Sequence, residues 1–335
     1  MDTNPTVVFP EPKKAVIEDR PLPSPAAGEL LIKTSRTLIS TGTELTSYSG
    51  DFPEKSRWAG YIRYPFLPGY DNVGKVVEAA SDVDRKWVGK RVANYGQHAR
   101  YVTAPVDSVV EIPADVPDEQ AAFFTIAQFT MNGVRRGGVT WGQSVVIYGM
   151  GLLGQLTARF VRIAGAHHIF AVDVAVQRLS LVADGVTTIN AAKQSAADVV
   201  RRQTHGRMAD VVFEVTGNAD LIPSEFEPLR QEGKFVVLSS PRKATSFDFH
   251  DLCNAPSFQI IGAHTMSHPA HETPATPWTT KRHVELFLDY LAQGEMDIGN
   301  LISHRQTHTE APQLYEMLLK DRSGAMGVVL TWDQP

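Results

Sequence analysis

The chain has 335 residues, of which 43% are hydrophobic and 21% charged, and its formal net charge is −5. This length suits two domains better than a single core, and the composition is that of a folded protein. The charge is nearly balanced, which excludes the basic footprint of a nucleic-acid or anionic-membrane binder. The single cysteine, Cys253, permits neither an internal disulfide nor a cysteine-based zinc cluster.

Targeting and membrane signals are also missing from the sequence. No stretch reaches the roughly 18–20 apolar residues of a membrane helix, and the first residues lack the basic and apolar regions of a signal peptide. With the single cysteine, these features favour a cytoplasmic protein. We expect a small-molecule substrate, and neither nucleic acid nor a membrane as a partner.

Residues 1–120 are predicted to form a β-rich domain with little helix. Runs of β-branched or alternating residues are separated by turn clusters rich in Pro and Gly. The predicted strands are 6–9, 14–19, 29–37, 73–79, 91–93 and 101–104.

From residue 118 onward, strands alternate with helices. The predicted strands are 144–148, 168–172, 186–189, 211–215 and 234–238, and the predicted helices are 118–134, 152–163 and 195–203. This alternation predicts an α/β fold with a doubly wound parallel sheet. After an irregular loop at 268–280, the tail adds helices 283–293 and 310–319 and a strand at 327–331.

A glycine-rich loop is the strongest local signal. It follows an apolar strand and opens a helix, which is the context that a G-x-G-x-x-G motif needs to bind a dinucleotide. The glycines allow a tight turn and close backbone approach, so that a pyrophosphate can lie at the helix N-terminus. The predicted cofactor-binding residues of this loop are Gly149, Met150, Gly151, Leu152, Leu153 and Gly154.

An acidic residue ends the next predicted strand. Asp173 lies 24 residues after Gly149, close to the usual spacing of about 20 for the carboxylate that binds the adenosine ribose. A carboxylate there would repel a 2′-phosphate, so we expect NAD(H) rather than NADP(H) as the cofactor. Arg178 either reaches the ribose or faces solvent, and the sequence leaves both open.

At this point the chain resembles the medium-chain dehydrogenase/reductase superfamily. Ser40-Thr41-Gly42-Thr43-Glu44 looks like that family's Cys-Gly-Thr/Ser-Asp motif, and Pro68-Gly69-Tyr70-Asp71-Asn72-Val73-Gly74 looks like its Gly-His-Glu-x-x-Gly motif. The resemblance covers essentially the whole chain. It implies a GroES-like β-rich catalytic domain over 1–120 and 266–335, and a Rossmann NAD-binding domain over 121–265.

The same resemblance implies further cofactor contacts and a substrate bias. Phe213-Glu-Val-Thr216-Gly217 matches the strand and turn beside the nicotinamide, and Ser239 and Ser240 match the turn that covers it. The motif pair is similar to the subgroup that contains bacteriochlorophyllide dehydrogenase and several sugar and cyclitol dehydrogenases. This favours a secondary alcohol or ketone on a ring.

The departures from the family concern its metal sites. The positions of the three catalytic zinc ligands are matched by Thr41, Tyr70 and, less securely, Ile126, and the four-cysteine structural lobe is absent. A threonine, a tyrosine and an isoleucine cannot make a zinc site. We therefore expect no metal. A histidine-rich alternative at His264, His268 and His271 with Glu272 is disfavoured by the intervening prolines.

Without zinc, side chains must move the proton and stabilise the developing charge. The resemblance places Tyr70, Thr43 and Asp71 near the reacting carbon, and His98 where an aromatic residue usually lines the substrate pocket. His98 is our preferred general acid/base, because histidine titrates near neutrality. His264, at the end of a strand near the nicotinamide, is a further candidate. For Glu44 we expect a structural role.

These observations predict a zinc-independent, NAD(H)-dependent alcohol dehydrogenase or ketone reductase acting on a polar substrate. Two alternatives stay open. One is a zinc-free reductase of activated C=C bonds, and the other is a catalytically silent NAD-binding protein. The run Gln259-Ile-Ile-Gly-Ala could pair across a twofold axis, as this family often does, so we expect a homodimer.

Overall fold

The computed structural model describes residues 3–269 and 271–333. The chain divides into two compact units, one formed by Met1–Thr125 with Thr280–Pro335 and the other by Ile126–Thr279. No helix within the described residues is long and apolar enough to cross a membrane.

The first part of the chain is built from short strands with three short helices. The strands are β1 (Thr3–Glu11), β2 (Lys14–Pro21), β3 (Glu29–Ile39), β4 (Asn72–Ala79), β5 (Arg91–Asn94), β6 (Tyr101–Pro105) and β7 (Val110–Glu111). The helices are α1 (Thr43–Ser49), α2 (Arg57–Tyr61) and α3 (Asp118–Ala121). β1 and β2 form an antiparallel pair.

The second unit is a parallel α/β layer. Its helices are α4 (Phe124–Gly137, which begins in the first unit), α5 (Leu152–Ile163), α6 (Val176–Leu179) and α7 (Ala196–Gln203). Its strands are β8 (Ser144–Tyr148), β9 (His168–Asp173), β10 (Thr187–Asn190), β11 (Ala209–Glu214), β12 (Leu229–Val237) and β13 (Gln259–Gly262). In this sheet the strands lie side by side in the order β10-β9-β8-β11-β12-β13. The chain adds strands on one side of β8 as far as β10 and then on the other side from β11, so the order of addition reverses between β8 and β11. In such sheets ligands bind at the carboxyl ends of the strands at this reversal.

The chain then returns to the first unit. It adds α8 (Thr280–Ala292), β14 (Ile302–Thr307), α9 (Ala311–Lys320) and β15 (Gly327–Thr331). β14 and β15 extend a seven-stranded sheet in the order β14-β15-β3-β4-β5-β7, with β6 paired to β3.

An aromatic cluster fixes α9 in this unit. The ring of Phe9 lies edge-on to that of Tyr315 at 4.8 Å and to that of Tyr48 at 5.3 Å. All three side chains are buried, and such ring pairs stabilise a core beyond the area they bury. The cluster holds the side chain of Tyr315 against α1.

The predicted fold class, a β-rich domain with a doubly wound parallel sheet, is confirmed. The expectation of little helix before residue 120 holds, although the short helices α1 and α2 were not themselves predicted. The hydroxyls of Thr46 and Ser47 bond backbone carbonyls four residues earlier, and Gly50 ends α1 in the left-handed conformation. The predicted helix 118–134 is two helices, because the chain tightens where Phe123 N–H bonds Gln120 O.

The predicted domain ranges differ from the two units at the second change of unit. The prediction placed it after residue 265, whereas the second unit continues to Thr279. Side-chain contacts with α4 account for the difference. Asn132 donates to the hydroxyl of Ser267 at 2.8 Å, and the guanidinium of Arg135 lies 3.1 Å from the ring centroid of Trp278.

Candidate functional site

The glycine loop of the second unit has an open side and a packed side. Gly149 adopts a φ of +95°, which favours glycine, and a Cβ on Gly154 would lie 1.9 Å from the carbonyl oxygen of Gly149. A Cβ on Gly151 would meet no atom within 4 Å. Gly149 and Gly154 therefore close the turn against α5, while Gly151 leaves free space at the helix N-terminus.

Asp173 is bound to this loop. Its Oδ2 accepts a hydrogen bond from the N–H of Met150 at 2.7 Å, and its Oδ1 accepts one from the N–H of Ala175 at 2.8 Å. Nη1 of Arg178 lies 3.8 Å from Oδ2. Of the two placements left open for Arg178, the structure puts its guanidinium beside the carboxylate that was predicted to bind the ribose.

A buried glutamine connects the glycine loop to the helix that contains Arg178. Gln155 has no exposed surface, and its side-chain N–H groups donate to Met150 O at 3.3 Å and to Arg178 O at 2.8 Å. It thereby links the glycine loop to α6. No sequence pattern indicates this role, because Gln155 stands at an ordinary helical position.

A second carboxylate organises the turn after β11. Oε1 of Glu214 accepts from the hydroxyl of Thr216 and the N–H of Gly217, each at 2.8 Å, and Oε2 accepts from the hydroxyl of Ser239. The hydroxyls of Thr216 and Ser239 therefore face Glu214, and these residues offer mainly their backbone to a ligand. Ser240, the next residue, is exposed.

These features fit a nicotinamide dinucleotide. Open space at Gly151 lets a pyrophosphate approach the first N–H groups of α5, where the helix dipole favours negative charge. Asp173 lies at the end of the next strand, as ribose recognition requires. The predicted cofactor residues of the loop, Asp173, Arg178, Thr216, Ser239 and Ser240 all belong to the second unit.

The first unit carries four of the five predicted catalytic residues. The hydroxyl of Tyr70 donates to Oγ of Ser40 at 2.5 Å. Burial raises the pKa of the Tyr70 phenol, as do the charges of Asp71 and Glu44, and the hydroxyls of Ser40 and Thr43 offset this only in part. Tyr70 is therefore a phenol that keeps its proton, with two hydroxyl groups next to it. Ser40 stands at the start of the quoted motif but was not predicted as a site residue.

Asp71 is fully buried next to Tyr70. Its Oδ1 accepts from the N–H of Thr125 at 3.1 Å, whereas its Oδ2 bonds no other residue in the described parts of the chain. Burial raises the pKa of this carboxyl well above its usual range, against the hydrogen bonds from Thr125. Asp71 is therefore an acid that favours its neutral form.

His98 is placed differently from the role we predicted for it. Its ring has no exposed surface, and Nε2 lies 3.0 Å from Oε2 of Glu44. The hydroxyl of Tyr315 donates to the same oxygen, and Oε1 accepts from the N–H of Ser40 at 2.9 Å. Because a ring without exposed surface cannot touch a substrate, the general acid/base role is corrected to a structural one, shared with Glu44.

His264 belongs to the second unit, unlike the other four catalytic candidates. It is exposed and precedes a 3₁₀ turn, and its Nδ1 accepts from the N–H of Met266 at 3.2 Å. The structure thus leaves its imidazole accessible but assigns it a local capping contact.

The residues present do not fit a metal ion. Within 3–269 and 271–333, no three His, Cys, Asp or Glu side chains are grouped so that they could hold one. This includes the alternative cluster at His264, His268, His271 and Glu272. At the family's ligand positions, Thr41, Tyr70 and Ile126 offer a hydroxyl, a phenol and an alkyl chain, which are not zinc donors.

Two family models match this chain. The alcohol dehydrogenase GroES-like domain matches residues 26–114, and the zinc-binding dehydrogenase model matches residues 153–281. The matched ranges together cover more than half of the chain. The first lies within the first unit, and the second lies within the second unit except for its last two residues.

Curated relatives and solved structures are similar to this chain over nearly its whole length. L-threonine 3-dehydrogenase of Coxiella burnetii is 25% identical, with 94% of this chain and 95% of that protein covered. Sorbitol dehydrogenase 2 of Saccharomyces cerevisiae is 25% identical, with 94% of each covered. A structure from Sinorhizobium meliloti 1021, assigned as a zinc-binding dehydrogenase and bound to NADP, has a TM-score of 0.82 at 20% identity, covering 99% of this chain and 100% of that one.

The structural likeness concerns the fold, and the two matched domains concern the family. The expected resemblance is confirmed by both. The protein belongs to the medium-chain dehydrogenase/reductase superfamily and is an oxidoreductase of the alcohol dehydrogenase type, using a nicotinamide dinucleotide.

Proposed function

We propose that this protein interconverts a secondary alcohol and a ketone on a polar, ring or sugar-like substrate, with NAD(H) and without a metal ion. The observation that carries the proposal is the phenol of Tyr70, which stands at a family ligand position and donates to Ser40. Relatives named for threonine and sorbitol support a substrate with several polar groups.

The proton transfer follows from the state of Tyr70. In ketone reduction, the bound dinucleotide supplies hydride to the carbonyl carbon, and the product oxygen needs one proton. Tyr70 would supply it, because a phenol is protonated at neutral pH and this one lies next to the hydroxyls of Ser40 and Thr43. The partly exposed Thr43 offers a path by which water restores the proton. Alcohol oxidation runs these steps in reverse.

Asp71 and Glu44 support the role of Tyr70 as a proton donor. A tyrosinate at position 70 would lie near both acids, and the charge of Glu44, like any charge on Asp71, opposes its formation. The bonds from Ser40 N–H, His98 and Tyr315 hold Glu44 in place. We infer that these acids keep Tyr70 in its donor form rather than reacting with the substrate themselves.

The preference for NAD(H) rests on Asp173. Its carboxylate is held in place by the N–H groups of Met150 and Ala175. A 2′-phosphate at the ribose would meet this negative charge, whereas a 2′-hydroxyl could donate to it. The nearby Arg178 reduces this repulsion but lies beside the carboxylate.

We also propose that the protein is a homodimer. β13 is an edge strand of the second unit's sheet, and Ile260 in it is 43% exposed. An unprotected edge with an exposed apolar side chain is suited to pairing with a second copy across a twofold axis.

Activity should survive removal of metal. After dialysis against EDTA, we expect the protein to oxidise NADH with cyclic ketones or keto-sugars at an unchanged rate, because no step needs a cation. The measurement is the loss of NADH absorbance with and without added Zn²⁺. Activity that disappears with EDTA and returns with Zn²⁺ would contradict metal independence. Turnover restricted to enones or quinones would instead indicate a C=C reductase.

Tyr70→Phe should lower kcat/KM for the same ketone by about 10²-fold or more, the usual contribution of a positioned general acid. The NADH dissociation constant should not change, since Tyr70 lies outside the unit that carries the dinucleotide loop. Tyr101→Phe, the same substitution on β6, is the control and should leave kcat/KM unaltered. Equal kinetics for both variants would remove Tyr70 from the mechanism.

Asp173→Ser should shift the cofactor preference towards NADPH. Loss of the carboxylate removes repulsion of the 2′-phosphate and a ribose contact, and a tenfold change in the ratio of kcat/KM values corresponds to about 1.4 kcal/mol. We expect at least this change. Asp184→Ser, at an exposed position of the same unit, should keep the wild-type ratio. A wild-type enzyme that already prefers NADPH would refute the assignment.

Ile260→Lys should convert the dimer to a monomer, because a charge on the edge opposes strand pairing. Sedimentation velocity reports the change in mass directly. Leu22→Lys, which also replaces an exposed apolar side chain, should not dissociate the protein. A wild-type monomer at micromolar concentration would exclude this interface.

A further inference from the structure

Two glutamates of the second unit are buried in contrasting surroundings. Glu214 has no exposed surface, and its carboxylate receives hydrogen bonds from Thr216, Gly217 and Ser239. Glu225 is 1% exposed, yet neither of its carboxyl oxygens has a hydrogen-bond partner in the described parts of the chain. The surroundings of Glu214 therefore stabilise a negative charge, and those of Glu225 do not.

Glu225 is held where it is by its neighbours. It lies in the 3₁₀ turn Ser224–Phe226, and its N–H bonds the carbonyl oxygens of Leu221 and Ile222, each at 3.2 Å. The next ring, that of Phe226, stacks on Phe235 of β12 at 3.9 Å. Turning Glu225 out to water would pull this ring from the core, so the carboxyl must adapt through its protonation state.

The groups that face Glu225 are acidic or neutral. Glu214 approaches from β11, Thr216 from the turn that follows β11, and Tyr148 from β8, while Glu227 lies on the same turn. Burial and then the charge of Glu214 raise the pKa of Glu225 to about 9, and the hydroxyl of Thr216 offsets this only in part. Glu225 therefore carries a proton at neutral pH.

We propose that protonated Glu225 is a positioning residue for the turn Thr216–Gly217, and that its ionisation at alkaline pH loosens this turn and weakens binding of the nicotinamide dinucleotide. The inference rests on the proposed use of that turn by the cofactor. An ionised Glu225 sets a second negative charge beside Glu214. It also competes with Glu214 for the hydroxyl of Thr216, which both carboxyls face.

The first test measures stability without cofactor. Between the ordinary value of 4.5 and about 9, the folded protein holds a proton on Glu225 that the unfolded chain has lost. The free energy of unfolding therefore falls as the pH rises through this window and levels off above it. Relative to Glu225→Gln, the unfolding constant of the wild type should rise about tenfold per pH unit from pH 6 to pH 9.

The second test measures NADH affinity by its fluorescence. From pH 7 to pH 10, the dissociation constant of the wild type should rise about tenfold more than that of Glu225→Gln, a typical coupling between two sites. Glu227→Gln makes the same change on an exposed neighbour and should follow the wild type. Glu225→Met, of similar length and without polar atoms, repeats the test if the buried amide destabilises the fold.

The outcomes separate the inference from the proposed function. Parallel pH profiles of NADH affinity in wild type and both Glu225 variants would overturn the coupling and leave the dehydrogenase assignment standing. A stability profile that Glu225→Gln does not alter would overturn the protonation of Glu225. Absence of NADH binding at every pH would overturn the proposed function and the coupling together, even where the stability profiles differ as expected.

Discussion

The buried carboxylate of Glu44 holds together the elements around Tyr70 in the first unit. It joins α1 to the segment before β6 through His98 and to α9 through Tyr315, and it receives the N–H of Ser40. Removing one partner from such a group is expensive, because the remaining charge stays buried without compensation. The hydroxyl oxygen of Ser40 in turn accepts a hydrogen bond from the hydroxyl of Tyr70. The orientation of the Tyr70 phenol, the proton donor that we propose, therefore depends on contacts that are themselves buried.

The second unit contains two carboxylates that, like Glu44, hold neighbouring segments together through hydrogen bonds. Asp173 binds N–H groups of the glycine loop and of the segment before α6, while Glu214 binds the turn after β11 and Ser239 after β12. Each carboxylate follows or ends a strand at the carboxyl edge of the parallel sheet, where backbone N–H groups converge. Acidic side chains thus fix the loops that a dinucleotide needs, before any ligand contributes. Glu225 is an exception, because it lies beside Glu214 and neither of its carboxyl oxygens accepts a hydrogen bond in the described parts of the chain.

Local signals predicted the second unit more closely than the first. β8 and α5 begin and end where strand pattern and glycine loop indicate, because both signals lie within one short stretch of chain. The contacts around Glu44 could not be predicted, since His98 and Tyr315 lie 54 and 271 residues away from it in sequence. We predicted a catalytic role for His98 because histidine titrates near neutrality. That property does not show whether the fold buries the side chain. Motif matching selected Tyr70, Thr43 and Asp71 as candidates, but it did not select Ser40, whose hydroxyl accepts a hydrogen bond from Tyr70.

The two acids next to Tyr70 are stabilised in different ways. Glu44 is supplied with three donors, whereas Asp71 keeps one oxygen without a partner among the described residues and has a raised pKa. Hydrogen bonds stabilise the first acid, whereas burial favours the neutral form of the second. A neutral acid next to a phenol of raised pKa forms a site with protons to give and no strong base. Such surroundings keep both groups protonated, as the proton donor that we propose requires.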